Sequence, residues 1–141
     1  MLGSRPLVVD SYAWIEYFLG SDKGKKVLEE LRRAEEVITP SVVLAELAHK
    51  YFREGMDRAQ VEERINLVRS VSAIRDLDDQ VILGLREAYG VLLDNARRQG
   101  MRRKPALNDA IVLSTSLIVE GSVITGDRHF KGLNRVIWVG D

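Results

Sequence analysis

Four short runs rich in valine and isoleucine constrain this chain more than anything else in it. They are LVV at 7–9, VIT at 37–39, SVIT at 122–125 and VIWV at 136–139, with VSAI at 71–74 as a fifth candidate. Each is strand-sized, and the segments between most of them are long and carry helical periodicity. Parallel strands need long crossovers, usually helices, whereas antiparallel neighbours need only a turn. We therefore expect a three-layer α/β/α domain with a short parallel sheet of four or five strands flanked by helices. Residues 1–141 are too few for two comfortable cores and are read as one domain.

The spacing predicts helices over 12–19, stopped by Gly20, and over 23–34 with Val27, Leu28 and Leu31 inward. A third follows Pro40, with Ser41 as its cap, and runs through Tyr51. A fourth covers 56–70 with Val61, Ile65 and Val68 inward. Asp78 or Asp79 caps a long helix over 80–99, lightly interrupted by Gly84 and Gly90. The most apolar helix, 106–119, carries Ser114, Thr115 and Ser116 inside it.

Composition narrows the function classes. Twenty-one basic residues balance 21 acidic ones, so the basic excess of a sequence-independent nucleic-acid binder is missing. Neutrality still allows an enzyme that meets a polyanion through bound cations at one acidic site. The chain has no cysteine, which excludes disulfides and thiolate metal ligands. No apolar run is long enough to span a bilayer, and MLGSRPLVVD lacks the pattern of a secretory signal, so a cytoplasmic protein is expected.

Four acids lie where strand-like segments give way to loop or helix: Asp10 after LVV, Glu46 in VVLAEL, Asp109 in PALND and Asp127 in VITGD. Ligands in open parallel sheets bind at the carboxyl ends of the strands. Carboxylates gathered there repel one another unless a cation sits among them. Each also has a plainer reading. Asp10 and Asp109 (or Asn108) are potential helix caps, Glu46 a surface position and Asp127 a turn residue. The remaining acids, such as Glu29, Glu30, Glu62 and Glu63, belong to solvated helix faces. Of the two histidines, His129 in GDRHF reads as an exposed turn neighbour and His49 as helix surface.

In this order the segments LVVDSYAWIEYF, TPSVVLAEL, PALNDAIVLSTSL and VITGDRHF resemble the successive motifs of PIN-domain proteins. The similarity is to the VapC-type ribonuclease toxins of VapBC toxin–antitoxin systems and covers nearly the whole chain. The resemblance implies a Mg²⁺- or Mn²⁺-dependent endoribonuclease whose site is Asp10, Glu46, Asp109 and Asp127. It also implies a homodimer and a small antitoxin that masks the site. The residues agree with that chemistry, since hard oxygen donors without cysteine suit Mg²⁺ or Mn²⁺. Asp10 and Asp109 are then expected as principal ligands, with Glu46 completing a shell and Asp127 serving a second ion or a water. The hydroxyls of Ser11 and Thr125 would fix the rotamers of the carboxylates.

A basic segment, Arg97, Arg98, Arg102, Arg103 and Lys104, leads into Asp109. It reads as a phosphate-backbone holder, or as a solvated helix end. Three rival functions stay open: a Mg-dependent phosphohydrolase, a non-catalytic PIN-like interaction module and a DNA-directed nuclease. The first lacks a second aspartate beside Asp10, position 12 being Tyr, and SDKGKK lacks the spacing of a phosphate loop. The aromatic group Tyr12, Trp14, Tyr17 and Phe18 suits either core or a dimer interface.

Overall fold

A computed structural model of the chain describes residues 5–141. Its frame is a five-stranded sheet in the order β3-β2-β1-β4-β5, every neighbouring pair parallel. The strands are β1 (Leu7–Val9), β2 (Val37–Pro40), β3 (Ala73–Arg75), β4 (Ser122–Thr125) and β5 (Val136–Trp138). Around them lie α1 (Ser11–Leu19), α2 (Asp22–Arg33), α3 (Ser41–Arg53), α4 (Arg58–Val71), α5 (Asp79–Leu83), α6 (Leu85–Arg98) and α7 (Leu107–Ile118). The chain runs outward from β1 through β2 to β3, then crosses back to β4. Right-handed crossovers along such a path place helices on both faces. The expected α/β class and parallel sheet are what the structure has, with five strands.

β1 is central and buried throughout, which explains its unbroken Leu-Val-Val. Its residues pack with Trp14, Leu47, Leu92, Val112, Ile124 and Phe130 in one core. The Trp14 indole donates to Thr39 Oγ1 at 3.2 Å, and Thr39 lies 2.8 Å from Ser72 Oγ, whose own hydrogen goes to the Val68 carbonyl. A buried indole thus ties α1 to β2 with no polar group left over. Trp14 belongs to the core, while Tyr17 and Phe18 are half-buried and meet it and Tyr51 edge-on or tilted.

Helix ends follow local chemistry, with two departures from expectation. Gly20 stops α1 with φ 65°, a left-handed position that glycine enters without steric cost. The cap position of α3 is Pro40 rather than Ser41, and no side chain caps that helix. The helix expected over 80–99 is two helices. Asp78 caps α5, and Gly84 ends it where a Cβ would come within 2.6 Å of Ser114 Oγ on α7. That close approach explains both the glycine and the polar run. Ser114 donates to the Val81 carbonyl of α5, while Thr115 and Ser116 bond back to Ile111 and Leu113 of their own helix. Their hydroxyls are therefore satisfied inside the core.

Candidate functional site

Strand order reverses between β1 and β4, and a crevice opens outside the carboxyl ends of the strands at such a switch point. Asp10 ends β1 there and is 4% exposed. Its Oδ1 accepts from the Ser11 amide at 2.8 Å, and its Oδ2 accepts from Thr125 Oγ1 at 2.7 Å, across the switch point. The same hydroxyl accepts from the Asp127 amide at 3.0 Å. Asp10 is thus both the cap of α1 and a member of the site. Burial pushes its carboxyl up to about 7, opposed by the Thr125 bond and reinforced by the charges of Glu46 and Asp109.

Glu46 is brought in by α3 and is half-buried rather than a simple surface residue. Its Oε1 is shut away from solvent with no hydrogen-bond partner among the described residues. Burial raises its carboxyl above the usual range. The Asn108 and Ser11 side chains oppose that, and the charges of Asp109 and Asp127 add to it.

Asp109 lies in the first turn of α7, where its Oδ2 accepts from the Ala106 amide at 3.1 Å. It, not Asn108, ties down the start of that helix, and it is only 9% exposed. Burial raises its carboxyl and Asp127 reinforces the rise, while the Ala106 amide, His129 and Arg103 lower it. The sequence-predicted acids therefore feel one another in an unbroken series from Asp10 to Asp127.

Asp127 heads a 3-10 turn, Arg128–Phe130, and accepts from the His129 amide at 2.9 Å. His129 departs from expectation: its side chain is buried, not exposed. Donor atoms of Asp109, Asp127 and His129 all lie within 4.8 Å of one another. Two further residues went unnoticed in the sequence. Asn95 of α6 donates to the carbonyls of His129 and Lys131, both at 3.0 Å, and Gln99 donates to that of Arg128 at 3.0 Å. Together they fasten the turn that carries Asp127. The only sequence signal for Asn95 is an amide on the inner face of α6, beside Ala88, Leu92 and Ala96.

Gly126 joins Thr125 to Asp127 where the Tyr12 ring leaves no room for a Cβ. The glycine thus lets that ring pack against the backbone between Thr125 and Asp127. Arg102, Arg103 and Lys104 are exposed, and no salt bridge among the described residues occupies them. A cleft of about 540 Å³, lined by Phe18, Met56, Arg64 and Leu67 among others, contains none of the four acids.

A parallel sheet with carboxylates collected at its switch point defines a class of α/β protein with an acidic active edge. A family profile for the PIN domain matches residues 7–136, and the chain belongs to that family. No protein of curated function matches it in sequence. Among solved structures it is similar to a chain of the toxin–antitoxin complex from Klebsiella pneumoniae. That likeness is 20% in identity with a TM-score of 0.68, over 96% of this chain and 98% of that one. A chain of VapBC2 from Rickettsia felis, bound to a DNA fragment from its promoter, is 19% identical with a TM-score of 0.66, over 94% of this chain and 96% of that one. A chain of VapBC-1 from nontypeable Haemophilus influenzae is 17% identical with a TM-score of 0.66, over 95% and 98%. At these identities the likeness is one of fold.

Proposed function

We propose that the chain is a divalent-metal-dependent endoribonuclease, acting as one domain and serving as the toxin of a toxin–antitoxin pair. The observation that carries this reading is the buried, unpartnered Oε1 of Glu46 beside acids whose carboxyls burial and mutual repulsion hold above their usual range. An orphaned buried carboxylate oxygen is costly unless a cation meets it. Oxygen donors without thiolates fit Mg²⁺ or Mn²⁺.

In this reading Asp10 and Asp109 are the principal ligands, and Glu46 completes a shell directly or through water. Asp127 serves a second ion or orients a water. Thr125 fixes the Asp10 carboxylate through its hydroxyl, whereas Ser11 does so through its main-chain amide and not the hydroxyl expected from sequence. A divalent cation supplies there the charge that offsets the phosphate oxygens and assists attack by water. Arg102, Arg103 and Lys104 hold the RNA backbone beside the acids, since phosphate contacts position a strand without reading its sequence.

The partners proposed with this activity are RNA, a second copy of the chain and a small antitoxin. The similar structures being toxin–antitoxin complexes supports the last of these. No helix among the described residues is long and apolar enough to cross a membrane, and a cytoplasmic site of action is the proposal that goes with an RNA substrate.

The test is calorimetric titration with Mn²⁺, followed by digestion of matched RNA and DNA strands, with Asp109→Asn alongside. We expect one or two ions bound by the wild type, binding weakened in the variant, and RNA cut in preference to DNA. Preferential cutting of DNA would reassign the substrate. No binding at millimolar Mn²⁺ would return the chain to a non-catalytic interaction module.

A further inference from the structure

His129 is 1% exposed, and its ring lies between two sets of acceptors. Nε2 is 2.9 Å from the Arg103 carbonyl, which can only accept, so Nε2 carries a hydrogen. Nδ1 faces Asp127 Oδ1 at 3.1 Å and Asp109 Oδ2 at 3.9 Å. The Arg103 carbonyl fixes a hydrogen on Nε2 in either form of the ring, and in the neutral form Nδ1 is a lone pair turned toward two carboxylate oxygens. Opposed lone pairs at that distance need a positive centre between them, either a metal ion or a proton on Nδ1.

We propose that His129 Nδ1 is a metal ligand, joining Asp109 and Asp127, so that this half of the acidic edge is a mixed nitrogen–oxygen site. The proposal rests on the reading that the edge holds a divalent cation, and it changes the donor set inferred from sequence, which contained oxygen alone. Bonds of about 2.1 Å place neighbouring octahedral ligands about 3 Å apart. The 3.1 Å pair already has that spacing, and the 3.9 Å pair lies between the adjacent and opposite positions of such a shell.

Giving one ring N–H to a backbone carbonyl while the other nitrogen meets a metal is the usual way a protein fixes a histidine ligand. The backbone around the ring is held as well. Asp127 accepts from the His129 amide, and Asn95 donates to its carbonyl. Imidazole favours later first-row ions, so this nitrogen biases the site away from Mg²⁺.

Pulsed electron paramagnetic resonance on the full chain loaded with Mn²⁺ tests the assignment, using natural-abundance protein and protein labelled with ¹⁵N-histidine. We expect a directly bound ¹⁴N coupling that changes to ¹⁵N on labelling. It should persist in His49→Gln, which alters an exposed helix position, and vanish in His129→Gln while Mn²⁺ still binds. Co²⁺ affinity should fall about 10- to 100-fold in His129→Gln, with Mg²⁺ affinity far less affected. Bound Mn²⁺ without nitrogen coupling in the wild type would overturn the proposal while leaving the metal site standing, and would mean that Nδ1 donates a proton to Asp127. Failure of Mn²⁺ to bind at all would remove the metal site and this ligand together. The labelling comparison is made on the wild type, so it reads the ligand even where His129→Gln fails to fold.

Discussion

The two halves of the acidic edge are built differently. On the strand side, Asp10 is enclosed and both its oxygens accept hydrogen bonds, from Ser11 and Thr125. On the helix-and-turn side, Glu46 keeps an oxygen without a partner among the described residues, while Asp109, Asp127 and His129 crowd together. The difference teaches how such a site divides its work. A rigid central strand fixes one carboxylate in advance, and the helices and the turn after β4 bring the remaining donors.

Asp10→Asn should break the comparison most severely. We expect RNA cleavage to fall by more than about 100-fold, since loss of even an outer partner of a metal ligand commonly costs 10- to 100-fold. Melting without metal should change little above pH 7, because the amide removes a buried charge but sets a donor where an Asp10 oxygen accepts from Thr125. A folded variant cutting at the wild-type rate would show that the strand half is only a helix cap.

Stability against pH comes next. The folded state keeps a proton on Asp10 up to about 7, whereas an ordinary aspartate releases it near 3.8. Between those values the folded state binds more protons than the unfolded one, so metal-free stability falls as pH rises through that window and levels off above it. Asp10 alone contributes at most on the order of 4 kcal/mol to this loss. Glu46 and Asp109 are shifted the same way and add to it. Saturating Mg²⁺ or Mn²⁺ should flatten the slope. Melting curves from pH 4 to 8 with and without metal check this, and a metal-free protein that gains stability with pH would contradict it.

Thr125→Val removes the hydroxyl that joins Asp10 to the Asp127 amide, leaving the strand half underdetermined. We expect a 10- to 100-fold loss of Mn²⁺ affinity, restored largely by Thr125→Ser. An affinity unchanged in the valine variant would mean that burial alone orients Asp10.

The smallest effect belongs outside both halves. Replacing Arg102, Arg103 and Lys104 with glutamine should lower the salt dependence of RNA binding by up to about 2 in the log–log slope, at roughly 0.7 for each phosphate no longer neutralised. Metal affinity should change little. An unaltered slope in filter binding would leave those cations as a solvated helix end.

Much of this architecture was legible beforehand because strands buried on both faces must be apolar throughout. LVV, VIT and SVIT therefore announced themselves, and the helices between them required a parallel sheet. The four acids were legible for a related reason, since each interrupts or follows apolar sequence where a carboxylate needs an explanation. The break at Gly84 was harder to see. Its cause is Ser114, far along the chain, and only packing of α5 on α7 reveals it.

The histidine shows the boundary most clearly. By itself the sequence determined the α/β alternation, the strand-end acids and the exclusion of thiolate chemistry, because these depend on residue type and local period. It said nothing reliable about His129, which reads as a turn residue among polar neighbours. Tertiary structure decided its burial by bringing the Arg103 carbonyl to one nitrogen and Asp127 and Asp109 to the other. Strand order likewise decided that β1 and β4 are neighbours, and hence that Thr125 reaches Asp10 across 115 positions. Period and composition act between near neighbours in the chain. Desolvation and hydrogen-bond pairing at the site depend on which distant segments the sheet sets side by side.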